Sequence, residues 1–332
     1  MAQATNFYPS QNVNLYIQKE STVGTEPDES LTRLQATSFT IPEATAPTEF
    51  SAPRSGIFTT LANQGRHAEG TKLWTFDTTV RGTSTAVLMA TDAVFEDGSS
   101  EAVLNNNYTF PHATYTTGAS SADTFDIRFV NGGADSSTET IEVPGCIGTG
   151  FTLSQDIGSE AGELVCTINW ATGFYPEHSA TDVTAAATDS GAPVNIRDLT
   201  AADCLINAGN EMVIQSWELA VNRPIERVHY KDTTSGTFAP FGYAMTGPFE
   251  ITGSMTVIRN DDVHDLLANF RNSTTVDINI AGTNFTVALD QCLLGESTVD
   301  NGGAVLMQTI PFTVVGNNDV SSATKMLGIS IS

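Results

Sequence analysis

Short runs in which hydrophobic and polar residues alternate recur along the whole chain. Because successive side chains of a β-strand point to opposite faces, this period of two predicts strands that are buried on one side. At residues 151–170 two such runs flank a Gly-containing loop, which predicts a β-hairpin. The predicted strands are residues 14–18, 38–41, 73–80, 125–130, 139–143, 151–156, 164–170, 217–222, 249–258, 276–280, 284–289 and 305–315.

Two segments depart from this alternation and have apolar residues at helical spacing. They are residues 84–95 and residues 261–270. Each begins with residues that can accept a hydrogen bond from the first free amides of a helix. In the second segment Val263, Leu266 and Phe270 form an apolar stripe, so we expect one face of that helix to pack against a sheet.

The order of these elements repeats, which predicts an internal duplication. At an offset of 178 residues Ser38 aligns with Ser216, and Arg81 aligns with Arg259. The predicted fold class is therefore mainly β, with two tandem β-sandwich or barrel domains that each have one flanking α-helix. A small, polar, Pro-containing stretch separates them. The predicted organisation is an N-terminal arm at residues 1–30, a first domain at 31–180, a linker at 181–202 and a second domain at 203–332.

The charge balance excludes several partners. The 332 residues include 14 Lys and Arg against 38 Asp and Glu, a formal net charge of −24 at pH 7. Specific binding to nucleic acid or to an anionic membrane needs basic surface, so neither is expected. Residues 82–222 contain 19 acidic residues but only two basic ones, Arg128 and Arg197. Such a surface serves either solubility or proximity to another polyanion without binding, and composition leaves both open.

Candidate catalytic and metal-binding chemistry is sparse. The four cysteines have no CxxC spacing, which argues against a zinc site and predicts reduced, buried thiols. No Gly-x-Ser-x-Gly elbow or phosphate loop occurs in the sequence. The acidic run at residues 261–265 is interpreted as the first turn of a helix, favoured by the helix dipole, rather than as a metal site. We therefore predict no enzymatic activity, no cofactor and no metal.

The sequence also indicates where the protein is made. The first residues lack the basic and apolar regions of a secretory signal, and no stretch approaches the roughly 18 apolar residues of a membrane span. We therefore expect synthesis in a cytoplasm and no association with a membrane.

Four segments and their order resemble a known family. They are NLYIQKESTVGT at residues 14–25, SFTI at 38–41 followed by RSG at 54–56, VRGT at 80–83 before the first predicted helix, and CIGTGFTLS at 146–154. This order is similar to that of tailed-bacteriophage tail tube (major tail) proteins, over most of the chain. The resemblance implies a structural virion protein of the phage tail, assembled in the host cytoplasm. Its partners would be copies of itself and other tail proteins.

The resemblance further implies a mode of assembly. In this family the inner sheets of tube domains join around a ring of six domains, and rings stack into a hollow tube through which the genome is ejected. With two domains in one chain, three chains would complete a pseudo-hexameric ring. Without a duplication, six chains per ring, each with a large extra domain, are expected. DNA would pass without specific binding, because an acidic lumen repels phosphate.

Strand alternation selects the residues that would face the lumen. On each strand one face is hydrophobic and forms the core, so the polar residues of the other face are the candidates. The lumen-facing candidates are Thr152, Ser154, Asp156, Glu163, Thr167, Asn169, Glu218, Asn222, Thr252, Ser254 and Thr256.

Contacts between rings are expected from the N-terminal arm and two long loops, at residues 6–24, 98–121 and 230–248. The ring-stacking candidates are Asn14, Tyr16, Tyr108, Phe110, Phe238, Phe241 and Tyr243.

Two other kinds of protein share this composition. One is another self-assembling structural protein, such as a baseplate, capsid-decoration or surface-layer subunit, and the missing secretion signal argues against the last of these. The other is a carbohydrate-binding β domain, which needs an exposed aromatic platform. Trp74, Trp170 and Trp217 lie in predicted strands and are interpreted as core residues instead.

Overall fold

A computed structural model defines most of the two predicted halves. It describes residues 13–20, 24, 31–42, 48–50, 65–67, 73–95, 101–105, 113–114, 124–131, 140–179, 185–200, 202–207, 209–231, 238–316 and 325–331.

The described residues are mainly β, which confirms the predicted fold class at that level. The strands of the N-terminal half are β1 (Val13–Lys19), β2 (Leu31–Arg33), β3 (Ala36–Phe39), β4 (Thr48–Phe50), β5 (Gly65–His67), β6 (Trp74–Arg81), β7 (Glu101–Asn105), β8 (Ala113–Thr114), β9 (Phe125–Asn131), β10 (Thr140–Asp156), β11 (Val165–Thr172), β12 (Glu177–Ser179) and β13 (Ala185–Thr188). Those of the C-terminal half are β14 (Leu205–Ile206), β15 (Asn210–Glu211), β16 (Ile214–Asn222), β17 (Ile225–Lys231), β18 (Phe238–Met245), β19 (Glu250–Ile258), β20 (Val276–Gly282), β21 (Phe285–Leu294), β22 (Thr298–Asp300), β23 (Met307–Val314) and β24 (Lys325–Ile331). The helices are α1 (Ser84–Phe95), α2 (Asp261–Asn272) and two short 3-10 turns, Glu160–Gly162 and Ile196–Asp198.

One antiparallel sheet, which we call the long sheet, runs through both halves of the chain. Its strand order is β3-β6-β11-β10-β16-β19-β23-β22. The halves meet where β10 pairs with β16, with Leu153 directly opposite Leu219. The central position of this pairing makes the two halves one continuous sheet rather than two separate ones.

Further strands cover the inner side of the long sheet in each half. In the first half the order is β2-β1-β9-β10-β12, in which the N-terminal part of the 17-residue β10 takes part. In the second half the order is β15-β14-β20-β21-β24-β7. Because β7 comes from the first half and β24 from the chain end, the second half is completed by a strand of the first.

The hydrophobic core lies between these layers. Phe151, Leu153 and Ile168 from the first half are fully buried, and Leu219 and Met255 from the second half are buried with them in one cluster. The alternation of these residues with polar ones on the same strands is what leaves the opposite side of the long sheet polar. The core also contains the three tryptophans, as expected: Trp74, Trp170 and Trp217.

Both helices begin where the sequence predicts. The Thr83 hydroxyl accepts a hydrogen bond from the Ala86 amide at 3.1 Å, and the Asn260 side chain accepts one from the Val263 amide at 2.9 Å. These side chains satisfy amides that the first helical turn leaves free. The acidic run at 261–265 forms the first turn of α2, where the helix dipole favours negative charge.

The predicted long loops contain strands. Residues 230–248 include all of β18 and the last two residues of β17, and Pro240 of β18 lies opposite His229 of β17 at a register shift. Gly and Pro in this aromatic segment favoured a loop, but a proline is accommodated in a strand at a bulge. In residues 98–121, β7 pairs with β24, a C-terminal strand that the sequence analysis did not predict, and β8 pairs with β18.

Corresponding elements of the two halves pair in the same way. α2 begins and ends 177 residues after α1, one residue less than the offset aligned from the sequence. Ser38 lies opposite Thr79 beside a register shift, and Ser216 lies opposite Thr256 beside a register shift of the same kind. Two buried cysteines follow this correspondence, because Cys146 lies opposite Thr172 and Cys292 opposite Val314 in the equivalent strand pairs.

Candidate functional site

The side of the long sheet that faces away from the core is lined by polar side chains. On β10, Thr152 and Ser154 alternate with the buried Phe151 and Leu153. Because directly paired residues of an antiparallel sheet point to the same side, the register extends this surface across neighbouring strands. All eleven lumen-facing candidates lie on it, and we call it the polar face: Thr152, Ser154, Asp156, Glu163, Thr167, Asn169, Glu218, Asn222, Thr252, Ser254 and Thr256. That the polar face lines a lumen stays a prediction.

The two halves contribute equivalent hydroxyl pairs to the polar face. The Thr79 and Thr167 hydroxyl oxygens are 3.1 Å apart on the paired strands β6 and β11. The Thr256 and Thr309 hydroxyl oxygens are 2.9 Å apart on β19 and β23. Such cross-strand pairs stabilise the sheet while their polar surface remains towards solvent.

The charges of the polar face are almost all negative. Its carboxylates come from both halves, and Arg81 is the one basic residue in β6, β11, β16, β19, β23 and the C-terminal part of β10. Arg81 donates hydrogen bonds to both Glu163 carboxylate oxygens, from Nε at 2.9 Å and from Nη2 at 2.6 Å. The hydrogen bond with Glu163 raises the pKa of Arg81, so the guanidinium stays charged and paired. The carboxylates are Asp77, Asp156, Glu163, Glu218 and Glu250.

A shallow groove crosses the polar face at the junction of the halves. It has a volume of about 290 Å³ and is lined mainly by hydroxyl and carboxylate groups, including those of Asp156, Glu163 and Glu218. In the described part of the chain no three His, Cys, Asp or Glu side chains form a metal-binding group. The chemistry of the groove is therefore that of an anionic, hydrogen-bonding surface.

A buried ionic network, which was not predicted from the sequence, lies on the other side of the first half. Arg128 Nε donates to Asp126 Oδ2 at 2.7 Å, and Arg128 Nη2 lies 3.7 Å from Glu142 Oε1. Burial raises the pKa of Asp126 to about 7, despite the lowering effect of Arg128. Alternation on β9 predicts that Asp126 and Arg128 face solvent, but they are 0% and 2% exposed, so both faces of this strand are buried.

Glu20 extends this network by fixing the backbone around it. Its carboxylate accepts hydrogen bonds from the Gly145 amide at 2.8 Å, the Gly24 amide at 2.9 Å and the Thr124 hydroxyl at 2.7 Å. Burial raises the pKa of Glu20. Because the bonded groups lie beside β1, β9 and β10, Glu20 holds the end of the N-terminal strand against the first half.

Arg223 lies at the junction of the halves and was also missed from the sequence. It is fully buried, and its Nη1 donates to the Ala93 and Val94 carbonyl oxygens at 3.2 and 3.0 Å. These carbonyls belong to the last turn of α1, whose dipole favours a cation. Arg223 follows β16, so it connects the second half to the helix of the first.

The predicted ring-stacking residues are dispersed. Tyr243 is buried, its hydroxyl donates to the Gly145 carbonyl at 2.9 Å, and it accepts from the Gly173 amide at 2.8 Å. Tyr16 is buried in a cluster with Leu31 and Val130, and Asn14 lies half-buried on β1. Both tyrosine side chains therefore have packing roles within the chain, and their contact with a neighbouring ring stays a prediction.

For the other four stacking candidates the structure describes no side chain. Phe238 and Phe241 belong to β18, of which only the backbone is described at these positions. Tyr108 and Phe110 lie outside the described residues.

The cysteines are inert by environment. All four are free and buried, as the sequence analysis predicted. Burial raises the pKa of Cys166 to about 12 and also raises that of Cys146, Cys204 and Cys292, so none is poised as a nucleophile. Across the described parts of the chain, neither helix has the length and apolar character required to span a bilayer.

Comparison with known proteins gives one family match. The model of a family described as phage tail tube protein matches residues 10–314. The sequence is similar to that of no curated protein. One solved structure, described as the tail of an empty GTA particle with C6 symmetry, is 10% identical, with 40% of this chain and 98% of that chain covered at a TM-score of 0.28.

Proposed function

Since the chain belongs to the phage tail tube protein family, we propose that its polar face lines the bore of a hollow tube through which DNA passes during ejection. Membership of this family makes the chain a structural protein of the virion tail and not an enzyme. Rings of subunits stack to form the tube, and the sheets of neighbouring subunits join around each ring. Ring closure removes the free sheet edges that would otherwise aggregate.

The observation that supports this proposal is the composition of the polar face. Eleven polar side chains from both halves share one side of a continuous sheet, and the single arginine there is paired with Glu163. Carboxylates repel phosphate and hydroxyls carry no charge that would hold it, whereas unpaired basic side chains would retain it. DNA would therefore slide along this surface without specific binding.

We propose that each chain contributes two tube domains, so that three chains form a pseudo-hexameric ring. The equivalent helices and strand pairs of the two halves support a duplication. In particular, the Thr79–Thr167 and Thr256–Thr309 hydroxyl pairs occupy the same places in the two parts of the long sheet. The long sheet joins the two halves of the chain edge to edge, and a ring would repeat this arrangement between chains.

Electron microscopy of the concentrated, purified protein tests the proposal. Hollow tubes are expected, with three chains per ring by mass measurement and six density lobes in end-on views. A protein that stays monomeric under every assembly condition contradicts the tube function. Rings of six chains contradict the duplicated-domain stoichiometry alone.

Stacking between rings is proposed for the N-terminal arm and the segments at residues 98–121 and 230–248. A deletion should spare β1, because that strand pairs with both β2 and β9. Deletion of residues 2–11 is expected to shorten or abolish tubes while single rings remain. Tubes of normal length from this variant would show that the arm is not a stacking element.

A further inference from the structure

The junction between the halves provides a template for a second junction. In the β10–β16 pair, the Arg223 amide donates to the Thr149 carbonyl at 2.7 Å, and the Ile157 amide donates to the Gln215 carbonyl at 3.0 Å. Because hydrogen-bonded pairs alternate in an antiparallel ladder, Leu153 and Leu219 form a hydrogen-bonded pair in the same register. Their side chains are buried in the core, so this junction continues both the sheet and the hydrophobic layer.

The two ends of the long sheet are the equivalents of these two strands. β22 corresponds to β10, because Thr298 lies opposite Thr309 as Thr152 lies opposite Thr167. β3 corresponds to β16, because each has the same register shift against its neighbour. Within the described part of the chain, β3 pairs only with β6 and β22 only with β23, so each has one free edge.

At the free edges of β3 and β22, backbone amides and carbonyls point away from the long sheet. They do so at the positions that correspond to the hydrogen-bonded residues of the β10–β16 pair. The Thr40 amide donates to the Asp77 carbonyl at 2.9 Å, towards β6, so the amide and carbonyl of the next residue, Ile41, point to the free side. By correspondence with Leu153, the amide and carbonyl of Val299 point away from β23.

Exposed hydrophobic side chains mark the β22–β23 hairpin. Val299, Val305 and Leu306 are 45%, 49% and 47% exposed, whereas Leu153 and Leu164, which correspond to Val299 and Leu306, are fully buried. An edge strand with exposed apolar side chains pairs readily with another strand. In the first half, β16 of the same chain pairs with β10 and covers these positions. The described part of the chain provides no such strand for β22.

We infer that β22 of one copy pairs antiparallel with the β3 edge of a second copy, in the register of the β10–β16 junction. Val299 then lies opposite Ile41, and Asp300 lies opposite Thr40. Three such junctions close a ring of three chains. The inference rests on the proposed function, because it names the strands that join neighbouring subunits of the ring.

Pro42 is compatible with a strand added at the free edge of β3. In the inferred junction it lies opposite Thr298, at the equivalent of the Thr152–Ala220 pair, which is not hydrogen-bonded across the ladder. A proline without an N–H group costs no hydrogen bond there. A shift of β22 by one residue would turn Val299 away from the core side.

Disulfide trapping tests the register directly. Cα atoms of a pair that is not hydrogen-bonded are about 4.5 Å apart, within the range that a disulfide spans. The double variant Asp300→Cys with Thr40→Cys should give a covalent trimer on oxidation that returns to monomer on reduction. The four native cysteines are buried and contribute little background.

A matched variant supplies the control. Glu296→Cys with Thr40→Cys retains one partner and moves the other by four residues, about 13 Å along the strand, so it should not form trimers. Tubes from the Asp300/Thr40 variant without interchain disulfides, or equal trapping in both variants, would overturn the inferred junction and leave the tube function intact. Monomers alone, from wild type and variants, would refute both.

A second pair of variants tests the junction without introduced cysteines, in case the cysteine variants misfold. Val299→Lys should abolish rings while leaving the melting temperature of the monomer within a few degrees, because the side chain is exposed in the single chain. Val213→Lys changes a valine that is 41% exposed and lies outside the junction, so its rings should persist. Normal ring formation by Val299→Lys overturns the inference.

Discussion

Arg81 and Glu163 are joined by two hydrogen bonds, at 2.9 and 2.6 Å, on the polar face of the long sheet. The Arg81 Nη1 atom also donates to Gln35 Oε1 at 2.8 Å, so the guanidinium is held on two sides. Both charged side chains are partly exposed, so the pair contributes little to stability. The effect of the pair is electrostatic, because the Glu163 carboxylate neutralises the positive charge of Arg81 on the polar face.

Glu163→Gln should slow DNA ejection by several-fold in phage particles that contain the variant. The substitution leaves Arg81 with an uncompensated positive charge that is repeated in every ring, and such charges hold phosphate. Added salt should restore the rate, because it screens exposed charges. The measurement is the rate of dye-reported DNA release at low and high ionic strength.

Asp156→Asn is the matched control for this prediction. It removes one carboxylate from the same groove without exposing a basic residue. Ejection at the wild-type rate by Glu163→Gln, or equal slowing by both variants, would contradict the role assigned to the Arg81–Glu163 pair.

Asp126 should make the stability of the folded chain depend on pH. Its pKa is raised from 3.8 to about 7 by burial, so between these values the folded state retains a proton that the unfolded chain has lost. The free energy of unfolding should therefore fall by a few kcal/mol as the pH rises from about 4 to about 7, at about 1.4 kcal/mol for each unit of pKa shift. Urea unfolding of the subunit at several pH values, followed by tryptophan fluorescence, measures this slope.

Asp126→Asn should flatten that slope, because the amide resembles the protonated carboxyl and can still accept from Arg128. A smaller slope should remain, since burial also raises the pKa of Glu20. Asp156→Asn, at an exposed position, should leave the slope of the wild type. An unchanged slope in Asp126→Asn would show that the residue is ionised in the folded chain at low pH.

The local elements and the polar face could be predicted from the sequence, because both depend on spacing along one strand or helix. The alternation on β10 places Thr152 and Ser154 on one side whatever its neighbours are. The bounds of α1 follow from Thr83, which accepts a hydrogen bond at its start, and from the apolar spacing within it.

Strand partners could not be predicted in the same way. Nothing local to β10 specifies that β16 pairs with it, or that β7 joins β24 from the other half of the chain. The burial of Asp126 and Arg128 depends on distant parts of the chain that cover the second face of β9, which a period of two cannot reveal. Arg223 was missed for the same reason, since its partners are helix carbonyls about 130 residues away.

Gly150→Ala should weaken the junction between the halves. A Cβ at residue 150 would clash with the Val221 carbonyl oxygen, a backbone atom that can move only with β16. Overpacking of this kind costs about 1–3 kcal/mol. Gly209→Ala, where a Cβ would meet no atom within 4 Å, should change stability by less than about 1 kcal/mol. Equal urea midpoints for the two variants would contradict the close approach of β10 and β16.

Arg223→Ala should destabilise the chain by about 2–4 kcal/mol, because it removes the donor from carbonyls that stay buried at the end of α1. Arg197→Ala removes an exposed arginine and should change stability by no more than about 0.5 kcal/mol. Urea unfolding of both variants gives the comparison. Hydrogen exchange adds a spatial test, since amides of α1 and of the β10–β16 pair should lose protection together in Arg223→Ala. Loss of protection in α1 alone would show that Arg223 caps the helix without coupling the two halves.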